Sequence, residues 1–187
     1  MSNKITNSRR DFLSKSVAGT LLISGGISSV GALLQSFTTT SNTAIAEAEF
    51  RSRLLQLGTR SLLTAQLAQA NASNAKVKMF ATFEAEEQKT IAMVLKEMNT
   101  PVLPPDATSQ EALAKLKSAS GAAFDTAFMK AQVDTHEALK TLTSSYISSA
   151  QGKNTMPDMH TRHLASLALA TITEHTARAK SLLSELK

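Results

Sequence analysis

The 187-residue chain has no cysteine and no tryptophan, a single tyrosine, and only four prolines and seven glycines. Without cysteine there is no disulfide framework, no thiol chemistry, no thiolate metal site and no lipid-modified residue. The glycines never form a phosphate-cradling loop. Aromatic residues make up 4% of the chain and no basic stripe is interleaved with them, which removes the support for nucleic-acid binding. No fixed period repeats, so a solenoid is excluded. Among the many serines no nucleophile–base pair stands out, and no catalytic residue is assigned. A binding protein is expected before an enzyme.

What is present begins with Ser8-Arg9-Arg10-Asp11-Phe12-Leu13 and Lys15, which resembles the twin-arginine export signal of bacteria. From Ser16 to Ala46 no residue is charged, and the stretch closes on Ala44-Ile45-Ala46, a small-x-small cleavage site. Four glycines and five serines in residues 16–36 make a poor permanent span. Residues 1–46 are therefore expected to be a leader handled by the twin-arginine machinery and removed. That leaves residues 47–187 as one periplasmic or secreted domain with no stable membrane span. Four basic residues against one acid lie in the leader, so only +2 of the net +5 belongs to the domain. The size suffices for one core.

The mature part reads as helix almost throughout, with apolar residues recurring near every 3.6 positions. A first helix is expected from about Ala46 to Ala72, a second from Ser73-Asn74 to about Asn99. The prolines of Thr100–Pro105 forbid helix there. A short helix follows at Ser109–Ser118, with Ser109 as its cap and Glu111 in its first turn. A third long helix is expected over Ala122–Ala150, and a fourth from Pro157 to the C-terminus. The fold class is all-α: an antiparallel four-helix bundle with a short extra helix in the crossover between the second and third long helices.

Some polar residues fall within the apolar stripes at about 100° per residue. Glu84 and Glu87 flank the line through Phe80, Ile91 and Met98, while His175 lies at the centre of the last helix's face. His136 sits at the edge of its face, and Ser61 lies in the middle of the first helix's stripe. Glu87, His136, His175 and Ser61 each lie near their helix midpoint, so antiparallel packing places them at one level. Buried carboxylates need a partner, a proton or a metal. Imidazole with carboxylate suits Zn, Fe, Mn or Cu. The expected site is one transition metal on Glu87, His136 and His175, with Glu84 fourth. The competing expectation is a self-satisfied Glu–His layer in a helical interaction or envelope-stress module, with an unknown protein partner. Met156, Met159, His160 and His163 form a second, softer set whose donors suit copper; an ordinary solvated first turn with methionine as core filler is the expected reading.

Several runs carry a resemblance: Ala72-Ser73-Asn74-Ala75-Lys76-Val77-Lys78-Met79-Phe80-Ala81, Ser120-Gly121-Ala122-Ala123-Phe124-Asp125, Val133-Asp134-Thr135-His136, and His175. In this order they resemble the ferritin-like family of exported bacterial proteins of unknown function, often labelled "outer membrane protein". The resemblance covers residues 50–185 and implies a four-helix bundle and export, without an established activity. His136 and His175 match the family pattern. Ser61 stands where members carry a glutamate, and Glu87 and Gln88 stand where they carry a histidine. The Glu-x-x-His pairs of ferritin-like di-metal oxidases are absent, since Val133 and Ile172 precede the two histidines.

Overall fold

In a computed structural model, residues 45–150, 152 and 155–187 are described. The expected leader, residues 1–46, lies outside them apart from Ile45 and Ala46. Five helices follow in order: α1 Glu47–Asn71, α2 Ala75–Glu97, α3 Ala107–Lys117, α4 Gly121–Ser149 and α5 Met156–Glu185. All are α-helical, as the composition demands.

Local chemistry sets the ends. Asn74 caps α2 by accepting from the N–H groups of Lys76 and Val77. Asn99, in the left-handed region at φ 54°, lies just past its end, before the proline segment. The start of α3 differs from expectation. Asp106, not Ser109, is the cap, and Ser109 donates both its N–H and its hydroxyl to the Asp106 carboxylate, at 2.8 and 2.6 Å. The helix accordingly begins two residues earlier. Gly121 opens α4 with φ +56°, a conformation glycine enters without penalty. Thr155 caps α5, and Pro157 sits in its first turn.

Two contacts fix the topology. Asp125, near the start of α4, accepts from the N–H and hydroxyl of Ser73 and the N–H of Asn74, in the α1–α2 turn. Lys76, near the start of α2, pairs with Glu185 at the end of α5 at 2.7 Å. So α4 begins where α1 ends, and the crossover bearing α3 returns along the length of the bundle. Helices α1 and α2, α1 and α4, α4 and α5, and α2 and α5 all run antiparallel.

The four sides of the bundle differ. Close backbone packing joins α1 to α2, α1 to α4 and α4 to α5, whereas α2 and α5 keep their backbones apart. Small residues explain the close sides: Gly58, Ala65, Ala81 and Ala85 between α1 and α2, and Ala165, Ala168 and Ala179 on α5. At Gly58 a Cβ would stand 2.6 Å from Gln88 Oε1. Across the α2–α5 side the bulkier Phe80, Glu84, Glu87 and His175 fill the gap.

The core comes in two apolar blocks. One, around Phe50, Leu54, Leu139, Tyr146 and Ile172, occupies the end holding the α1 N-terminus. The other, around Val77, Phe80, Phe124, Phe128 and Met129, occupies the opposite end. Between them lies a layer of buried polar residues that includes Ser61, Thr64, Glu84, Gln132 and His136. Among the described residues no helix is long and apolar enough to cross a membrane.

Candidate metal centre

Each long helix contributes to the mid-height layer. Glu84 of α2 is fully buried, and its carboxylate joins the other three. Oε1 accepts from the Ser61 hydroxyl at 2.6 Å. Oε2 lies 2.7 Å from His175 Nδ1 and 3.2 Å from His136 Nε2. Glu87, one turn along α2, brings Oε2 to 3.3 Å from His175 Nδ1. The imidazole centroids are 5.8 Å apart, and the donor atoms of Glu84, His136 and His175 all lie within 4.8 Å of one another.

The orientation of the His136 ring follows from its surroundings. Nδ1 faces the Gln132 backbone carbonyl at 2.8 Å. A carbonyl only accepts, so Nδ1 carries a hydrogen and Nε2 is the ring nitrogen turned inward. Nε2 is buried and no hydrogen bond is aligned with it, although Glu84 Oε2 is within ion-pair distance. A proton or a metal ion shared between Nε2 and the carboxylate would satisfy both.

Charge is distributed unevenly. Burial alone would raise the Glu84 carboxyl, but the contacts of His136, His175 and Ser61 outweigh it and hold it far below the usual carboxylate range. Burial pushes the Glu87 carboxyl up against the pull of His175. The hydrogen bond to Glu84 raises the His175 imidazole in spite of desolvation.

The expected residues therefore meet, with two changes of rank. Glu84, expected as the fourth donor, is the shared central carboxylate, while Glu87 sits at the edge with its Oε1 buried and unpartnered. His136, expected at the margin of its face, is fully buried, whereas the His175 side chain is 12% exposed. Both shifts follow from packing: α4 lies between α1 and α5, but α5 borders the loose α2 side. Two clefts of about 280 and 350 Å³ run along that side, one lined by Phe80, Phe83 and His175, the other by Glu87, Ile91 and Leu167. The alternative set opens into solvent instead, with Met156, His160 and His163 exposed at the start of α5.

Sequence reasoning missed Gln132 and Thr64. Gln132 Oε1 lies 2.7 Å from the Ser61 hydroxyl, and its Nε2 donates to Thr64 Oγ1 at 2.9 Å. Ser61 has one proton to give, and the carboxylate is the stronger acceptor. Gln132 thus orients His136 through its backbone carbonyl and Thr64 through its side-chain amide. Its position four residues before His136 was the available signal.

No curated protein and no solved structure matches the chain. A family model does match, over residues 33–182. The chain belongs to the DUF4142 family, a domain of unknown function.

Proposed function

We propose that this domain is an exported, ferritin-like helical bundle that binds one transition metal ion through Glu84, His136 and His175, with Glu87 as fourth donor. The observation that carries the reading is His136 Nε2, set by the Gln132 backbone carbonyl at the far side of the ring and buried 3.2 Å from the Glu84 carboxylate without an aligned hydrogen-bond partner. An imidazole held through its other nitrogen by a backbone carbonyl is the usual arrangement of a metal-ligating histidine. Nitrogen and carboxylate donors without sulfur suit Zn, Fe, Mn or Cu(II). Ligands around a tetrahedral ion stand about 3.4 Å apart, so side-chain shifts of about an ångström close the set. Once bound, such an ion supplies the positive charge that the layer otherwise draws from protons. The residues of the chain do the rest: Ser61 and Gln132 orient Glu84 and His136, and the apolar blocks exclude water from both ends. Support for a ferritin-like relationship is the single long crossover between the two helical hairpins. Support for export is the twin-arginine pattern at residues 8–13, a route suited to cargo that folds, and loads metal, before translocation.

Metal analysis of protein purified from its native cell envelope tests the reading. About one equivalent is expected in the wild type and none in the His136→Ala/His175→Ala double variant. Substoichiometric metal, unchanged in the double variant, would end the proposal. A second reading is favoured by Met79, Phe83 and Leu167, which are 56%, 58% and 71% exposed on α2 and α5. In it the domain is a helical interaction module and the polar layer only sets helix register. Retention of the cellular phenotype by a folded variant with an apolar layer would support that reading.

A further inference from the structure

One residue round from Ser61 on α1 is Arg60, and one residue round from His136 on α4 is Thr135. Both turn away from the mid-height layer towards α3 and line a cavity of about 220 Å³. Arg60 is 6% exposed. Among the described residues it makes no ion pair or side-chain hydrogen bond, and its Nε is buried without a partner. A guanidinium cannot shed its charge as a histidine or lysine does, so an Nε–H left buried without an acceptor is costly.

The acids nearby have other partners or face solvent. Asp106 feels the charge of Arg60 and caps α3 through Ser109. Asp134 lines the cavity but is paired with Lys130 at 3.1 Å. Glu111 lines it from the exposed surface of α3. Leu116 of α3 and Ala127 and Ala131 of α4 supply the apolar wall, beside Thr108 and Thr135, and Lys115 adds a cation from exposed α3 surface.

We infer that this cavity binds a small organic carboxylate, its acid group on the Arg60 guanidinium and its apolar part against Leu116, Ala127 and Ala131. The planar fork of arginine matches the two carboxylate oxygens, and the charge-assisted pair gives the unpartnered Nε an acceptor. The apolar walls favour an organic acid over inorganic phosphate. This inference is independent of the metal centre.

Calorimetric titration and thermal melting of the purified domain with benzoate, benzyl alcohol and inorganic phosphate test it. Benzoate is expected to bind saturably and raise the melting temperature, and the neutral alcohol to do neither. Arg60→Met is expected to weaken benzoate at least tenfold and, without ligand, to melt above the wild type. Ala131→Leu, which fills the cavity while keeping Arg60, is expected to abolish binding, and it decides the matter if Arg60→Met does not fold. Absence of saturable benzoate binding, an Arg60→Met variant that binds unchanged, or phosphate binding as tightly as benzoate would overturn the inference.

Discussion

Glu84→Gln, measured in the metal-free protein, removes the one charge that two imidazoles and a hydroxyl share. The amide keeps the shape but leaves His136 and His175 facing a neutral group in a fully buried position. Breaking a buried pair from one side costs about 3–5 kcal/mol. Because imidazoles shed their protons, and Glu87 remains beside His175, the lower end applies, about 3 kcal/mol. For a domain of this size that is a fall of about 10 °C in melting temperature. The companion variant Glu84→Met/His136→Leu/His175→Leu removes the central carboxylate and both imidazoles, leaving Glu87 at the edge of the layer. It should be as stable as the wild type or more stable by about 1–4 kcal/mol. Ser61 then keeps an acceptor in Gln132 Oε1 at 2.7 Å. Urea unfolding, with the midpoint read at constant slope, separates the two cases. Wild-type stability in Glu84→Gln, or an apolar triple variant weaker than the single one, would refute the reasoning. In the second case the layer would serve stability rather than a ligand.

Tyr146 stacks on Phe50 at 4.0 Å, and its buried hydroxyl has no partner. Burial and the charges of Glu47 and Asp158 push its ionisation from 10.0 to about 12. With the folded value above the unfolded one, the neutral phenol contributes fully below pH 10 and its contribution is lost between pH 10 and about 12. Tyr146→Phe should lie within about 1 kcal/mol of the wild type at neutral pH and remove this alkaline loss, as unfolding at the two pH values will show. Asp125→Ala removes three hydrogen bonds that tie the α1–α2 turn to α4. A loss of about 3 kcal/mol is expected, with faster exchange of the Ser73 and Asn74 amides; slow exchange in the variant would show that other contacts hold the turn.

The helices and their order were legible because composition, period and the prolines of the crossover all pointed the same way. Phe50, Leu54, Phe124, Phe128, Leu139 and Tyr146, all on the apolar stripes of their helices, are buried. The common level of Ser61, Glu87, His136 and His175 was legible too, since antiparallel helices of similar length align their midpoints. Their ranking was not. Angles on an isolated helix do not reveal that α4 is flanked on two sides while α5 borders a gap, and that difference buries His136 and exposes part of His175. Gln132 and Thr64 escaped notice because uncharged polar residues in a stripe rich in alanine and serine look like neutral spacing. Arg60 escaped because only the position of α3 turns an ordinary helical arginine into a buried one. The cap of α3 was misread between two residues that bond to each other.

The uneven sides of the bundle give its four long helices the arrangement of a book. Its spine is the tight seam of α1 with α4, and its covers are the two hairpins. Along the free edge the covers meet through Glu84 and Glu87 with His175, and through the exposed pair Lys76–Glu185. Whatever sits between Glu84 and His175 is therefore also the clasp, so filling that place and shutting the volume are one physical event.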